Sequence, residues 1–134
     1  MITKKKHSLL FICLGNICRS PAAEGVMKAK VHECGLDSEF FIDSAGIGDW
    51  HVGQLPDSRM RDRGARRGYR FDSHARQIRQ SDFDDFDLLL VMDKANYKAV
   101  TAQASSEEAR SKVRMLTDYL VEHSGTDVVP DPYY

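Results

Sequence analysis

Apolar residues in this chain fall in short runs, separated by stretches where they recur every three or four positions. Ser8-Leu9-Leu10-Phe11-Ile12 and Asp87-Leu88-Leu89-Leu90-Val91-Met92 are nearly unbroken apolar runs of strand length. Runs apolar on both sides of the backbone suit strands covered on both faces. Phe40-Phe41-Ile42 reads as a further strand, ended by Ser44-Ala45-Gly46. Ala75 to Ile78 and Val113 to Leu116 are shorter candidates. Between these runs the period changes. Ala23, Met27, Val31 and Cys34 recur at helical spacing, with Gly35 as a stop. Ser20 is placed to cap that helix, with Pro21 at its first position, where a missing N–H costs nothing. Asp57 to Arg67 predicts a helix weakened by Gly64. Lys94 to Ala104 and Ser106 to Lys112 predict two more.

Strands alternating with helices imply an α/β protein with a parallel sheet. Such sheets place ligands beyond the carboxyl ends of their strands, and the turn from Cys13 to Arg19 lies at the end of the first strand. With 134 residues and no linker, repeat or low-complexity tract, one domain is expected over 1–134. Apolar residues make up 42% and charged residues 29%, ordinary for a globular protein. A formal net charge of −1 gives no overall pull toward nucleic acid or anionic membrane. No apolar run approaches spanning length. The short run after Lys4-Lys5-Lys6 lacks the length and cleavage site of a signal peptide. An odd count of three cysteines argues against a disulfide scaffold and for a reducing compartment, so the cytoplasm is expected.

The chemistry concentrates in Cys13-Leu14-Gly15-Asn16-Ile17-Cys18-Arg19-Ser20-Pro21. A tight loop between a strand and a capped helix can turn its N–H groups inward and, with the helix N-terminus, cradle a tetrahedral dianion. Gly15 is the expected residue for an unusual backbone conformation. Arg19 can grip two phosphate oxygens with its planar fork. The same positive field favours the thiolate form of Cys13. Ser20 can donate its hydroxyl to that sulfur, and Asn16 can brace the loop through its amide. A cysteine ending a strand also fits a small core residue, and a glycine-containing turn before a helix also fits plain anion binding.

This loop resembles the signature loop of the low molecular weight protein tyrosine phosphatases. The likeness extends through Asp43-Ser44-Ala45-Gly46, the Trp50 region, Pro56-Asp57, His74-Ala75-Arg76, Val91-Met92-Asp93 and Asp131-Pro132-Tyr133-Tyr134, in the family's order. The resemblance implies a single-domain three-layer sandwich with a central, mainly four-stranded parallel sheet and helices on both faces. It implies Cys13 as nucleophile, Arg19 as phosphate clamp and Asp131 as general acid, the proton donor that the loop lacks. Leu14, Gly15, Asn16, Ile17, Cys18 and Ser20 complete the phosphate-binding loop. Trp50, Tyr133 and Tyr134 would wall a slot for a flat ring. Ser44 and His74 would hydrogen-bond toward Asn16, and Asp93 would sit near Asp131 or cap the helix from Lys94. Cys18 would pair with Cys13 on oxidation, while Cys34 is read as structural. In the family the chain continues past the tyrosine pair into a last helix that packs on the sheet; this sequence stops at Tyr134.

The activity so implied is hydrolysis of phosphotyrosine through a phosphocysteine, with no metal or other cofactor. Expected partners are phosphotyrosine proteins or peptides, with inorganic phosphate as product and competing ligand. Neither nucleic acid nor membrane insertion is expected, and a monomer is favoured. Three rivals share the scaffold. A phosphoarginine phosphatase would carry threonine in place of Ile17, by the resemblance. A thioredoxin-coupled arsenate reductase would need further cysteines downstream of Cys34, and there are none. A catalytically dead phosphate-binding module has no support while Cys13, Arg19 and Asp131 are all present. Eight arginines lie between Arg59 and Arg79; they fit a solvated face or an attraction for acidic phosphoprotein substrates. The acidic run from Asp82 to Asp87 would balance them.

Overall fold

The computed structural model describes residues 6–119 of the chain. Strand β1 (His7–Cys13) leads through the loop into helix α1 (Arg19–Glu33) and strand β2 (Phe40–Gly46). Helix α2 (Ser58–Arg66), the short α3 (Asp82–Asp85) and strand β3 (Leu88–Val91) follow. Helices α4 (Lys94–Gln103) and α5 (Glu107–Ser111) precede strand β4 (Val113–Met115) and a 3-10 turn at Leu116–Tyr119. All pairings are parallel, in the order β2-β1-β3-β4.

Burial on both faces follows from the two-residue period of the strands. Leu10 and Ile12 of β1 and Leu89 and Val91 of β3 pack with Phe83, Phe86, Val100, Ala109 and Val113. Phe11 and Cys13, with Leu90 and Met92, face the other way, toward Val31 and partly buried Ala23 and Met27 of α1. This makes three layers, and it explains why β1 and β3 read as continuous apolar runs. Leu10, Ile12, Leu89 and Val91 are wholly buried, each burial being worth about 1.5–3 kcal/mol. No helix of the described residues is long and apolar enough to cross a membrane.

Several expectations need correction. Helix α1 starts at Arg19 with Cys18 in the cap position and no side-chain cap bond, so Ser20 is not the cap; its hydroxyl is used elsewhere. Strand β2 runs on through Asp43-Ser44-Ala45-Gly46, because the polar side chains there have partners of their own. Residues 75–78 form no strand; their backbone pairs with the sheet at an isolated bridge, Gly46 to Gln77. Asp82 to Asp85 is helical, and Asp82 offsets the arginines from a fully buried position, paired with Arg76 and Arg79.

The topology also locates the site. The chain moves from β1 outward to β2, then returns to the opposite side of β1 as β3. The carboxyl ends of β1 and β3 therefore flank the point where the winding reverses, the usual ligand crevice of open α/β sheets.

Candidate active site

The loop after β1 is held by a chain of buried polar contacts. Asn16 occupies the left-handed region at φ 57°, a conformation that asparagine tolerates better than other side-chain-bearing residues. Its Nδ2 donates to Ser20 Oγ at 2.8 Å and to Ser44 Oγ at 2.9 Å. Its Oδ1 accepts from the Arg76 N–H at 3.0 Å. A backbone N–H can only donate, so the amide orientation is determined: oxygen to Arg76, nitrogen to the two serines. Ser44 Oγ donates its single proton to Glu24 Oε1 at 2.5 Å. Ser20 Oγ accepts from Asn16, which leaves its proton for Cys13 Sγ, 3.0 Å away. The sulfur thus faces a hydroxyl whose direction is set four groups away, at Glu24. Lys28 Nζ completes the chain at 2.5 Å from Glu24 Oε2.

A second clamp crosses the crevice. Arg19 Nη1 donates to Asp93 Oδ2 at 2.9 Å, and Arg19 is only 8% exposed. Asp93 is also the cap of α4, its Oδ1 accepting from the Asn96 N–H at 2.7 Å. One carboxylate thereby ties the end of the β1 loop to the end of β3. On the third side, the carbonyls of Cys13, Leu14 and Ile17 accept from the N–H groups of Ile47, Gly48 and Asp57. The N–H groups of Leu14, Gly15, Asn16 and Ile17 donate to no protein acceptor among the described residues. Close approach on the β2 side requires Gly46: a Cβ there would stand 3.0 Å from the Gly15 carbonyl carbon and 3.1 Å from Asn16 N.

The flank from 47 to 57 carries the remaining groups. Trp50 is 65% exposed, its ring lying against Gly48. His51 lies beside Gly15 and pairs through Nδ1 with Gln54 Oε1 at 3.0 Å. Asp57 caps α2 by accepting from the Arg59 N–H at 3.2 Å. Burial pushes the Asp57 carboxyl up, but the Arg59 guanidinium and the N–H groups of Arg59 and Met60 outweigh it and leave its pKa below the ordinary carboxylate value.

A buried thiol on a hydroxyl, an arginine held by a carboxylate and a row of N–H groups unclaimed among the described residues make a site for attack on a tetrahedral anion. Residues 8–134 match the family model described as low molecular weight phosphotyrosine protein phosphatase. The chain belongs to that family. YfkJ of Bacillus subtilis, a low molecular weight protein-tyrosine-phosphatase, is 43% identical over 128 residues, 95% of this chain and 81% of its own. A crystal structure of a protein tyrosine phosphatase from Entamoeba histolytica, with Hepes in the active site, matches at TM-score 0.91 and 44% identity, over 96% of this chain and 81% of that one. A Drosophila arginine phosphatase structure matches at TM-score 0.86 and 31% identity, over 94% and 80%.

Within this family fold, the structure brings together Cys13, Asn16, Arg19, Ser20, Ser44 and Asp93. It does not bring His74 to Asn16. His74 is exposed, and the Arg76 N–H two residues on makes that contact. Nor is Gly15 the left-handed residue; Asn16 is. At Gly15 the constraint is space, since a Cβ would meet the His51 ring at 3.0 Å. Leu14 is exposed and Ile17 half-buried at the loop, Cys18 is buried at the start of α1, and Cys34 is exposed at its end. Asp131, Tyr133 and Tyr134 lie outside the described residues. Glu24 escaped the sequence reading, and Arg76 and Asp82 entered it only as part of a motif and of an acidic run. Arg76 grips Asp82 with both Nη atoms at 3.0 Å and Asp43 through Nε at 3.1 Å. Burial lowers the Arg76 pKa, and hydrogen bonding to Asp82 with the charges of Asp43 and Asp82 more than reverses this. The segment that braces Asn16 is thus locked to β2.

Proposed function

We propose that this chain is a protein tyrosine phosphatase that hydrolyses phosphotyrosine through a phosphocysteine on Cys13. The observation that carries the reading is the Ser20 hydroxyl 3.0 Å from Cys13 Sγ, in a loop with four N–H groups that no protein acceptor claims among the described residues. Cys13 Sγ attacks phosphorus and forms the S–P bond while the phosphorus–phenol oxygen bond breaks, and Asp131 gives the departing oxygen its proton. Asp131, now a carboxylate, takes a proton from water, which attacks phosphorus and releases inorganic phosphate. The sulfur leaves as thiolate and accepts from Ser20. Arg19 and the loop N–H groups hold the three phosphoryl oxygens throughout.

Support for the aromatic ester comes from exposed Trp50 beside the loop, with Ile17 in the position where the sequence likeness associates threonine with phosphoarginine. Cys18 is the proposed oxidation partner of Cys13, the cytoplasm the proposed compartment, and a monomer the proposed working form. The test is turnover of para-nitrophenyl phosphate without added metal, followed by phosphotyrosine and phosphoarginine peptides. Cys13→Ser should lose about 10⁴-fold or more in kcat. Undiminished turnover in that variant sinks the nucleophile, and a preference for phosphoarginine moves the substrate to the rival class.

A further inference from the structure

Helix α2 starts at the catalytic loop, where the Asp57 N–H donates to the Ile17 carbonyl at 2.6 Å. Its inner side is defined by buried Gly64, which lies against the Phe71 ring. Arg59, Arg63 and Arg67 follow one another at four-residue steps on the exposed side. Arg59 pairs with its own cap, Asp57, and Arg66 with Asp62. Among the described residues Arg63 and Arg67 meet no carboxylate. Like charges at this spacing destabilise a helix, so the stripe works against the fold that carries it. Charge is also unevenly divided. Residues 59–70 hold six arginines against one aspartate, while the whole chain has a formal net charge of −1. The rest of the molecule is therefore acidic, and this stretch is the cationic face beside the catalytic loop.

We propose that the Arg59, Arg63 and Arg67 stripe docks acidic residues flanking the phosphotyrosine of the substrate protein. This rests on the phosphatase reading and adds the substrate's chemistry to it. The span fits: eight residues of helix rise about 12 Å, the reach of about four residues of extended chain. An extended substrate leaving the loop along α2 lays alternate or successive carboxylates against the three guanidinium groups. Exposed pairs of this kind are individually weak and screened by salt, so the stripe sorts substrates rather than anchoring them.

The test uses two fluorescein-labelled peptides, each carrying a phosphonomethyl analogue of phosphotyrosine that cannot be hydrolysed. One is flanked by acidic residues, the other by alanine and serine. Anisotropy should give the acidic peptide about fivefold tighter binding at low salt, falling below about twofold near 0.5 M salt. The double variant Arg63→Ala/Arg67→Ala should lose most of that ratio and keep wild-type turnover of para-nitrophenyl phosphate. Arg63→Glu/Arg67→Glu should reverse the order, so that the peptide flanked by alanine and serine binds more tightly than the acidic one, which loss of structure would not do. Equal binding of both peptides by the wild type overturns the proposal, as does a ratio that the double variants leave unchanged. Capture of phosphatidylserine vesicles by the wild type and not by the double variant, with no peptide preference, overturns it in favour of a membrane surface. Because the peptides are inert, a chain without turnover would fail as a phosphatase while the binding ratio still decided this point.

Discussion

The polar side chains Asn16, Arg19 and Ser20 in the catalytic loop are buried and matched to named partners, whereas the arginines of α2 stand in water beside weak ion pairs. Both regions present positive character to an anion, but they obtain it differently. In the loop it comes from N–H groups and one guanidinium whose directions are set by buried neighbours, so little reorganisation accompanies phosphate binding. Along α2 it comes from long, solvated side chains that lose rotamer freedom whenever they engage. The first arrangement suits a transition state and the second suits sorting of substrates. Substitutions in the loop should therefore act steeply and through geometry, and those near α2 should be shallow and sensitive to salt or pH.

Arg19→Lys should produce the largest effect among substitutions that keep the charge. Lysine supplies a point charge without the planar fork. A loss of about 10²–10³-fold in kcat/KM for para-nitrophenyl phosphate is expected, in line with removal of one preorganised oxyanion donor. A loss below about threefold would mean that charge alone suffices and that the Asp93 clamp has no catalytic consequence.

Asn16→Ala should follow. It strips Ser20, Ser44 and the Arg76 N–H of a buried partner and places a Cβ without local hydrogen bonding at positive φ. Unsatisfied buried groups cost about 1–3 kcal/mol and the left-handed conformation about 1–2 kcal/mol. Urea denaturation should show a total near 3 kcal/mol, with turnover falling because Ser20 no longer has a set direction. Asn16→Gly separates the two causes: it relieves the backbone cost and keeps the hydrogen-bond loss, so it should recover about 1 kcal/mol of stability and little activity. Equal stability of the two variants would remove the backbone from the account.

Asp93→Ala comes next, removing the α4 cap and the carboxylate on Arg19 together. The cap alone is worth about 1 kcal/mol, and leaving a mostly buried guanidinium short of one acceptor adds about 1 kcal/mol. Thermal unfolding should fall by several degrees. Asp93→Asn keeps the cap, so it should recover stability while the KM for phosphate esters stays raised. Recovery of both would show that Asp93 acts on the helix alone.

What could be read from residue order divides along the same line. Strands β1 and β3 were legible because burial on both faces leaves no polar position to interrupt them. The loop was legible because Cys13, Arg19, Ser20 and Pro21 are close in sequence. The start of α1 was misjudged by that same local logic: Ser20-Pro21 looks like a cap, but the Ser20 hydroxyl is drawn to Cys13 and Asn16. Polar Asp43 and Ser44 hid the second half of β2, since their partners Arg76, Asn16 and Glu24 lie far along the chain. The acidic run from Asp82 does offset the arginines, since Arg76 takes both Asp82 oxygens, but a local count of charge does not reveal that Asp82 is buried. Contacts between distant residues leave no periodic trace, and the support of this site is made of them.

Asp57 should give the smallest effect and the clearest pH signature, because it joins the two regions: its N–H holds the Ile17 carbonyl and its side chain caps α2. Its folded carboxyl titrates below the ordinary 3.8. A depressed carboxylate stabilises the fold above its unfolded pKa and loses that contribution as the pH falls through the folded value. Asp57→Ala should therefore cost about 1 kcal/mol near neutral pH, and the gap from wild type should narrow as urea titrations move down toward about pH 3. Asp57→Asn retains a cap that does not titrate, so its stability near neutral pH should lie within a few tenths of a kcal/mol of wild type. A gap between wild type and Asp57→Ala that stays constant down to that pH would assign the loss to packing. The Arg59 pair would then be a surface contact with no share in holding α2 against the loop.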